Sequence, residues 1–236
     1  MSEAQACAVI FDVDGVLLHL TKPEEEAFFS ALEAVFGITG ASSDWDSYRV
    51  RNDVAIVEEL VETHLERDAT GDDINRFTDK YISLIDIGIK TGEIEVQSID
   101  GIREALMALT PIENITMGLA TANLMAAARL RLRTAGLNDF FTVGGFAEAR
   151  GPKREILRKT IAELKGLDGS PLPKDRIVYL GDNLVDVDAG LANECGFIAF
   201  NVDQGKHAML REAGAQIVLN DHADTAREIK RLLGLP

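Results

Sequence analysis

Two aspartates, Asp12 and Asp14, follow the apolar run CAVIF at residues 7–11 and precede Gly15. Two acids beside one reacting centre can divide the work, because one carboxylate can act as nucleophile and metal ligand while the other serves as general acid and base. A loop carrying two solvated acids would show the same residues. A calcium-binding EF-hand loop does not fit, because it needs Gly at its sixth position and Glu at its twelfth, where this chain has Pro23.

A second candidate is the hydroxyl residue Thr121, which follows the apolar run ITMGLA at residues 115–120. A hydroxyl group and the free N–H groups at the start of a helix together form a natural cradle for phosphate. We therefore expect Thr121 and the adjoining backbone at Ala122 to bind a phosphoryl group. Capping of the next helix by Thr121 or Asn123 would explain the same residues.

A third candidate is Lys153, which lies at the start of a predicted helix, after Gly151 and Pro152. A positive charge at a helix N-terminus opposes the helix dipole, which indicates that another interaction holds the residue there. Arg154 competes for the same role. A solvated surface position is the alternative for Lys153.

The fourth candidate segment is GDNLVD at residues 181–186, which follows the apolar run IVYL at residues 177–180. Asp182 would lie at a strand end, where a carboxylate is well placed to hold Mg²⁺, a hard cation that prefers oxygen ligands. Asp186 would lie in the first helical turn and could orient the metal ligands from behind. Capping of this helix by the two acids is the alternative.

Most of these candidates come directly after a short apolar run. Such runs are typical of strands buried on both faces of a parallel sheet, and here they alternate with segments of helical periodicity. The alternation predicts an α/β fold with right-handed crossovers, in which ligands bind at the carboxyl ends of the strands. The predicted strands span residues 7–11, 115–120, 177–180, 197–200 and 216–219, and the predicted helices span residues 123–135, 153–165, 185–194 and 224–233.

The alternation is interrupted between residues 20 and 97, where helical patterns follow one another without a convincing buried strand. The clearest patterns cover residues 23–36, 53–66 and 72–87. Pro23 suits the first turn of its helix, because its missing N–H costs little there. We therefore predict a core domain formed by residues 1–19 and 98–236, with a helical domain formed by residues 20–97 inserted into it.

Composition narrows the possible partners. The chain has 236 residues and a net charge of −15, which argues against nucleic-acid binding because that binding rests on Lys and Arg. A small phosphorylated substrate remains compatible, since a metal and a few placed cations reverse the local field. The two cysteines cannot form a disulfide framework, and neither an export signal nor a membrane span is evident. We therefore expect a cytoplasmic monomer or homodimer without a membrane partner.

Taken together and in this order, the four motifs resemble those of the haloacid dehalogenase superfamily. The matching segments are FDVDGVL around Asp12 and Asp14, LAT ending at Thr121, the basic residue Lys153, and GDNLVD at residues 181–186. The insertion after the first motif resembles the helical cap of the phosphoglycolate phosphatase-like branch. This resemblance covers essentially the whole chain and implies a Rossmann-like core with a mobile cap.

The resemblance also implies a role for each candidate residue. Asp12 would be the nucleophile, Asp14 the general acid and base, and Thr121 and Lys153 the phosphate-binding pair. Mg²⁺ would be held by Asp12, Asp182 and the backbone carbonyl of Asp14, with Asp186 supporting the metal shell. Many relatives place Pro after the basic residue of the third motif, whereas here Pro152 precedes Lys153. The choice between Lys153 and Arg154 therefore stays open.

The predicted cap offers one candidate for substrate binding. The segment WDSYRVRND at residues 45–53 resembles the specificity loop of the branch, with Arg51 where many relatives carry a basic residue. An Arg fork suits a carboxylate or phosphate on the leaving group. A surface position without contact to the substrate is the alternative.

The resemblance implies a Mg²⁺-dependent phosphatase that acts on a small metabolite of the phosphoglycolate or sugar phosphate type. Asp14 argues against the dehalogenases and phosphonate hydrolases of the superfamily, which lack this second acid. A β-phosphoglucomutase-like enzyme uses the same two acids but returns the phosphoryl group to a substrate hydroxyl, so the four motifs do not separate these activities. A catalytically silent binding module that kept the fold is a third alternative.

Overall fold

A computed structural model describes residues 5–235, so the first four residues and Pro236 of the predicted core domain lie outside the described residues. The described chain contains a six-stranded parallel sheet in the order β3-β2-β1-β4-β5-β6. The strands are β1 (Cys7–Phe11), β2 (Ile115–Ala120), β3 (Val143–Gly145), β4 (Ile177–Gly181), β5 (Gly196–Phe200) and β6 (Ile217–Leu219). The predicted α/β fold with a parallel sheet is confirmed.

Nine α-helices accompany the sheet within residues 5–235. They are α1 (Lys22–Phe36), α2 (Asp53–Leu65), α3 (Gly71–Thr91), α4 (Ile102–Leu109), α5 (Met125–Thr134), α6 (Lys153–Glu163), α7 (Leu184–Ala192), α8 (His207–Glu212) and α9 (Thr225–Leu233). Local sequence explains where several begin, because side-chain oxygens satisfy the first free N–H groups of a helix. Thr21 and Glu24 form a capping box at α1, and the Asn52 side chain caps α2.

Strand β1 lies at the centre of the sheet, between β2 and β4. All five of its residues are buried, and they alternate between two apolar clusters on the two faces of the sheet, as the two-residue period of a strand requires. The three central strands are parallel, so their carboxyl ends meet at one edge. The segments that follow them, at Asp12, Thr121 and Asp182, are therefore neighbours.

Three elements were not predicted from the sequence, namely β3, α4 and α8. Strand β3 has only three residues, and two of them are glycines, so it shows no apolar run. A Cβ at Gly145 would lie 2.1 Å from the Thr160 hydroxyl of α6, which leaves room only for glycine. The strand therefore depends on its pairing with β2 and on close packing against α6.

Residues 20–97, called the insertion below, hold α1, α2 and α3. Their buried side chains form a separate apolar cluster that also includes Leu124, Ala127 and Ala147 from the rest of the chain, so the insertion packs on the sheet-containing part. The chain enters and leaves the insertion side by side, because Leu18 forms an antiparallel bridge with Ser98. The division into two domains at these crossings stays a prediction.

Among the helices within residues 5–235, none combines the length and the apolar composition that crossing a lipid bilayer requires.

A buried histidine fixes the loop that follows β1. The His222 ring stacks on Phe200 at 3.9 Å between centroids, and its Nε2 lies 2.9 Å from the carbonyl oxygen of Val16. Since a carbonyl can only accept, Nε2 carries the proton and Nδ1 accepts from the Thr225 hydroxyl at 3.0 Å. Burial, opposed by the Val16 carbonyl, lowers the pKa of His222 to about 4. The neutral ring therefore holds the loop that carries Asp14.

This geometry predicts a loss of stability in acid. The folded-state pKa of His222 is about 4, below the ordinary value of 6.5, so the unfolded chain binds more protons between these pH values. The stability that the neutral His222 ring contributes is fully present above about pH 6.5 and is lost as the pH falls towards 4. Between pH 7 and pH 5 the wild type should lose about 2 kcal/mol more unfolding free energy than His222→Gln, measured by urea denaturation. His64 is exposed, so His64→Gln should retain the wild-type pH dependence, and a His222→Gln protein that also retains it would contradict the assignment.

Candidate functional site

The Asp12 side chain lies at the carboxyl end of β1 and is almost fully buried, with 4% of the residue exposed. Its Oδ1 accepts a hydrogen bond from the Val13 backbone N–H at 2.7 Å, and its Oδ2 lies 2.6 Å from Lys153 Nζ. Burial raises the pKa of Asp12, and Lys153 opposes the rise. Lys153 therefore favours the charged form of this nucleophile candidate, although burial still raises the pKa of Asp12 to about 7.

Lys153 and Arg154 occupy different environments. Lys153 is buried and contacts Asp12 at 2.6 Å and Asp186 at 3.3 Å. Burial alone would lower its pKa, but these two carboxylates raise the pKa to about 12. Arg154 is exposed and pairs with Asp188 at 3.4 Å. The structure thus places Lys153, and not Arg154, among the predicted site residues.

Asp182 and Asp186 follow β4 and lie beside Asp12. Carboxylate oxygens of the three residues lie within 4.8 Å of one another. Burial, followed by the charges of Asp186 and Asp12, raises the pKa of Asp182, which means that the cluster favours an additional positive charge. The hard oxygen ligands of this cluster suit Mg²⁺.

Asp186 supports the loop as well as the cluster. Its Oδ2 accepts hydrogen bonds from the backbone N–H groups of Asp182 and Asn183, and its Oδ1 accepts from the Tyr179 hydroxyl at 2.6 Å. The alternative of helix capping is therefore correct for Asp186, which closes a capping box with Asn183. It is wrong for Asp182, because Asn183 is the N-cap residue.

Gly15 permits the close approach of Asp182 to the β1 loop. Its backbone has φ = 75°, a conformation that favours glycine, and a Cβ at this position would lie 2.3 Å from Asp182 Oδ2. Any side chain here would displace the carboxylate from the site. The glycine after the two acids thus serves both the turn and the assembly of the acidic cluster.

Asp14 is held by an arginine that was not predicted from the sequence. Arg131 of α5 is 2% exposed, and its guanidinium contacts Asp14 at 2.5 Å and Glu24 of α1 at 2.6 Å. Burial would raise the pKa of Asp14, but Arg131, with smaller contributions from Asn123 and Lys153, lowers it. A signal was present in the sequence, because Arg131 lies four residues after Ala127 and three after Ala128, which is the spacing of one helix face.

Thr121 follows β2 and is 1% exposed. Its backbone N–H donates to the Gly145 carbonyl at 3.0 Å, and its hydroxyl accepts from the Asn123 N–H at 3.3 Å. Helix α5 begins at Met125, two residues later than predicted, and its N-cap is Leu124 without a side-chain hydrogen bond. Thr121 and Ala122 therefore belong to the turn before the helix, and capping of α5 does not explain Thr121.

A cavity of about 280 Å³ joins these residues to the insertion. Arg51, Asp53 and Tyr81 line it together with Asp12 and the other candidates that follow the strands. Arg51 is 40% exposed at its side chain and pairs with Asp46 at 3.2 Å. The predicted site residues thus line one cavity, except Asp186, which is buried behind it in contact with Lys153.

Comparison with known proteins agrees with this geometry. The model of the haloacid dehalogenase-like hydrolases matches residues 8–193, which include every motif described above. The chain belongs to this hydrolase family. The predicted family membership is therefore confirmed. A search of curated proteins by sequence gave no match.

Solved structures show the same fold at low sequence identity. CbbY from Rhodobacter sphaeroides, solved in complex with phosphate, has a TM-score of 0.67 and 20% identity over 93% of this chain and 96% of that one. A predicted phosphatase from Clostridium acetobutylicum has a TM-score of 0.64 and 20% identity over 96% and 99% of the two chains. A haloacid dehalogenase-like hydrolase from Streptococcus pneumoniae has a TM-score of 0.60 and 15% identity over 94% and 98%.

The environments of Lys153 and Arg154 predict different effects of matched substitutions on this hydrolase. Lys153→Met removes the cation that faces buried carboxylates, so it should lower the unfolding free energy by about 3 kcal/mol at pH 7 without divalent cations. Arg154→Met breaks only an exposed ion pair and should change the unfolding free energy by less than about 0.5 kcal/mol. Urea denaturation measures both values, and equal losses in the two variants would contradict the structural assignment.

Proposed function

We propose that this hydrolase is a Mg²⁺-dependent phosphatase that hydrolyses a small phosphorylated metabolite through a phosphorylated Asp12. The main support is the buried contact of Asp12 with Lys153 at 2.6 Å, beside the carboxylates of Asp182 and Asp186. A nucleophile, a phosphate-binding cation and a cluster of metal ligands meet there at the carboxyl ends of adjacent strands. Phosphate bound to CbbY, which shares the fold, supports the same ligand chemistry.

The donor set supports the choice of metal. Asp12, Asp182 and the backbone carbonyl of Asp14 supply hard oxygen atoms, and two oxygens of Asp186 are already engaged by neighbouring donors. We assign Asp12, Asp14 and Asp182 as the ligands and Asp186 as the residue that orients the loop behind them. When bound, Mg²⁺ supplies positive charge next to the phosphoryl oxygens.

Two proton-coupled steps account for hydrolysis. In the first, an Asp12 oxygen attacks phosphorus, the bond to the leaving oxygen breaks, and Asp14 donates a proton to that oxygen. In the second, Asp14 accepts a proton from water, the water oxygen attacks phosphorus, and the bond to Asp12 breaks to release inorganic phosphate. Thr121, the backbone at Ala122 and Lys153 hold the phosphoryl oxygens, while Arg131 and Asn123 restrain the Asp14 carboxylate.

Arg51 is the proposed substrate contact from the insertion. One guanidinium nitrogen is paired with Asp46, which leaves further N–H donors for a bound anion. Its positive charge also reaches Asp182 across the cavity. This placement supports a role at the substrate over that of a remote surface residue.

Phosphatase and phosphomutase activities differ in the fate of the phosphoryl group. Release of inorganic phosphate from a monoester supports the phosphatase, whereas a phosphorylated product and activation by a sugar bisphosphate would support the mutase. No phosphate release across a broad panel of esters with Mg²⁺, together with no such activation, would support a silent binding module instead.

Removal of divalent cations should abolish turnover. Without Mg²⁺, three carboxylates and the phosphoryl group would share one site in which Lys153 contacts two of the carboxylates. Excess EDTA should therefore stop phosphate release from p-nitrophenyl phosphate, and added Mg²⁺ should restore it. Undiminished hydrolysis in EDTA, with enzyme first freed of metal by dialysis, would rule out the proposed dependence.

The two acids should have separable roles. Asp14→Asn keeps the nucleophile but weakens proton transfer, which contributes roughly 10² to 10⁴-fold in typical enzymes. Attack on acetyl phosphate, whose leaving group needs little protonation, should continue while hydrolysis of the phosphorylated Asp12 stalls. Mass spectrometry of Asp14→Asn after brief exposure to acetyl phosphate should show one added phosphoryl group, mapped to Asp12.

The matched control is Asp12→Asn, which removes the nucleophile and changes the same chemical group. It should acquire no phosphoryl group under the same conditions. A phosphoryl group on another residue, or near-normal turnover of Asp12→Asn after contaminating phosphatase has been excluded, would refute the mechanism.

A further inference from the structure

The wall that the insertion contributes to the cavity contains a tyrosine hydroxyl without a protein partner. Tyr81 of α3 lines the cavity and is 7% exposed. Within residues 5–235 its hydroxyl makes no hydrogen bond, whereas every fully buried side-chain nitrogen or oxygen there has a partner. The Tyr81 hydroxyl must therefore open on the cavity. A buried polar group of this kind gains free energy when a ligand supplies the missing hydrogen bond.

The Tyr81 ring cannot swing away from this position without disturbing the core of the insertion. It packs on Phe28 at 5.5 Å and on Phe77 at 5.8 Å between ring centroids. Burial, followed by the negative charge of Asp53, raises the pKa of Tyr81, and the charges of Asp14 and Arg131 also reach the phenol. The hydroxyl is therefore neutral and can both donate and accept, and Tyr81 lines the cavity together with Asp14 and Arg131.

Asp53 of α2 also lines the part of the cavity that the insertion contributes. Its backbone N–H donates to the Ala122 carbonyl at 3.0 Å, and its Oδ2 accepts from the Leu124 N–H at 2.9 Å. These bonds fix the residue between the insertion and the turn that carries Thr121. Its Oδ1 has no hydrogen-bond partner within the described part of the chain, and Asp53 lines the cavity.

We propose that Tyr81 and Asp53 form a leaving-group subsite that binds a hydroxyl group of the substrate alcohol. A hydroxyl can accept from the Tyr81 phenol and donate to Asp53 Oδ1, so it satisfies both groups. A carboxylate at this position would meet the charges of Asp53 and Asp14, and an ammonium could donate to both groups but would leave the Tyr81 proton without an acceptor. The cavity of about 280 Å³ suits a small alcohol. The subsite rests on the phosphatase function above and narrows its substrate class.

Three esters with the same carbon number test the subsite, namely glycerol 1-phosphate, propyl phosphate and 3-aminopropyl phosphate. The wild type with Mg²⁺ should have the highest kcat/KM for glycerol 1-phosphate. Tyr81→Phe removes only the hydroxyl and should reduce the ratio of kcat/KM for glycerol 1-phosphate to that for propyl phosphate by about tenfold. Asp53→Asn keeps an acceptor for Leu124 and should reduce the same ratio.

The chain offers a matched control in Tyr48, which is not among the residues that line the cavity and whose hydroxyl donates to the Ser42 carbonyl at 2.7 Å. Tyr48→Phe makes the same chemical change and should leave the ratio at its wild-type value. If Tyr81→Phe kept the ratio of the wild type, or if the wild-type enzyme preferred the propyl or aminopropyl ester, the subsite would be overturned and the phosphatase function would not. No phosphate release from any ester would overturn the phosphatase function and the subsite with it.

Discussion

Buried negative charge is concentrated at the carboxyl edge of the sheet, and the neighbouring elements must compensate it. Asp12 and Asp186 are buried beside Asp182, and Lys153 is the buried cation that contacts the first two. Burying an unpaired charge costs several kcal/mol. The arrangement is therefore stable only if Lys153 enters the core at the start of α6 and if backbone N–H groups and the Tyr179 hydroxyl engage Asp186. A bound Mg²⁺ would offset more of the same charge.

A second set of buried charges links the sheet-containing part to the insertion. Arg131 lies between Asp14 and Glu24, and Glu24 is fully buried at the first turn of α1. Loss of any one of the three groups would leave the others without full compensation. The acid and base candidate is therefore restrained by a residue pair that spans both parts of the chain, so the position of the insertion and the position of the Asp14 carboxylate depend on each other.

The insertion also builds the cavity in which a leaving group would lie. Asn52 and Asp53 form hydrogen bonds with the turns at Ala122 and Ala147, so the start of α2 is tied directly to the segments that hold the phosphate-binding candidates. The cavity is lined by residues of the insertion and by residues of the sheet-containing part, so the proposed reacting groups and the proposed substrate contacts face the same space. The substrate contacts that we propose, at Asp53 of α2 and Tyr81 of α3, are therefore separate in sequence from Asp12 and its neighbours.

Local sequence patterns suffice to predict the central strands, the order of the four motifs and the identity of the acids. An apolar run predicts a buried strand, and a polar residue directly after it predicts a position at the sheet edge. The different environments of Lys153 and Arg154, and the positions of Arg131, Tyr81 and Asp53 around the cavity, emerge only from the tertiary structure. Their properties depend on partners distant in sequence, as the contact between Arg131 and Asp14 shows. Strand β3 likewise exists because β2 and α6 pack against its glycines, and a three-residue segment does not encode those neighbours.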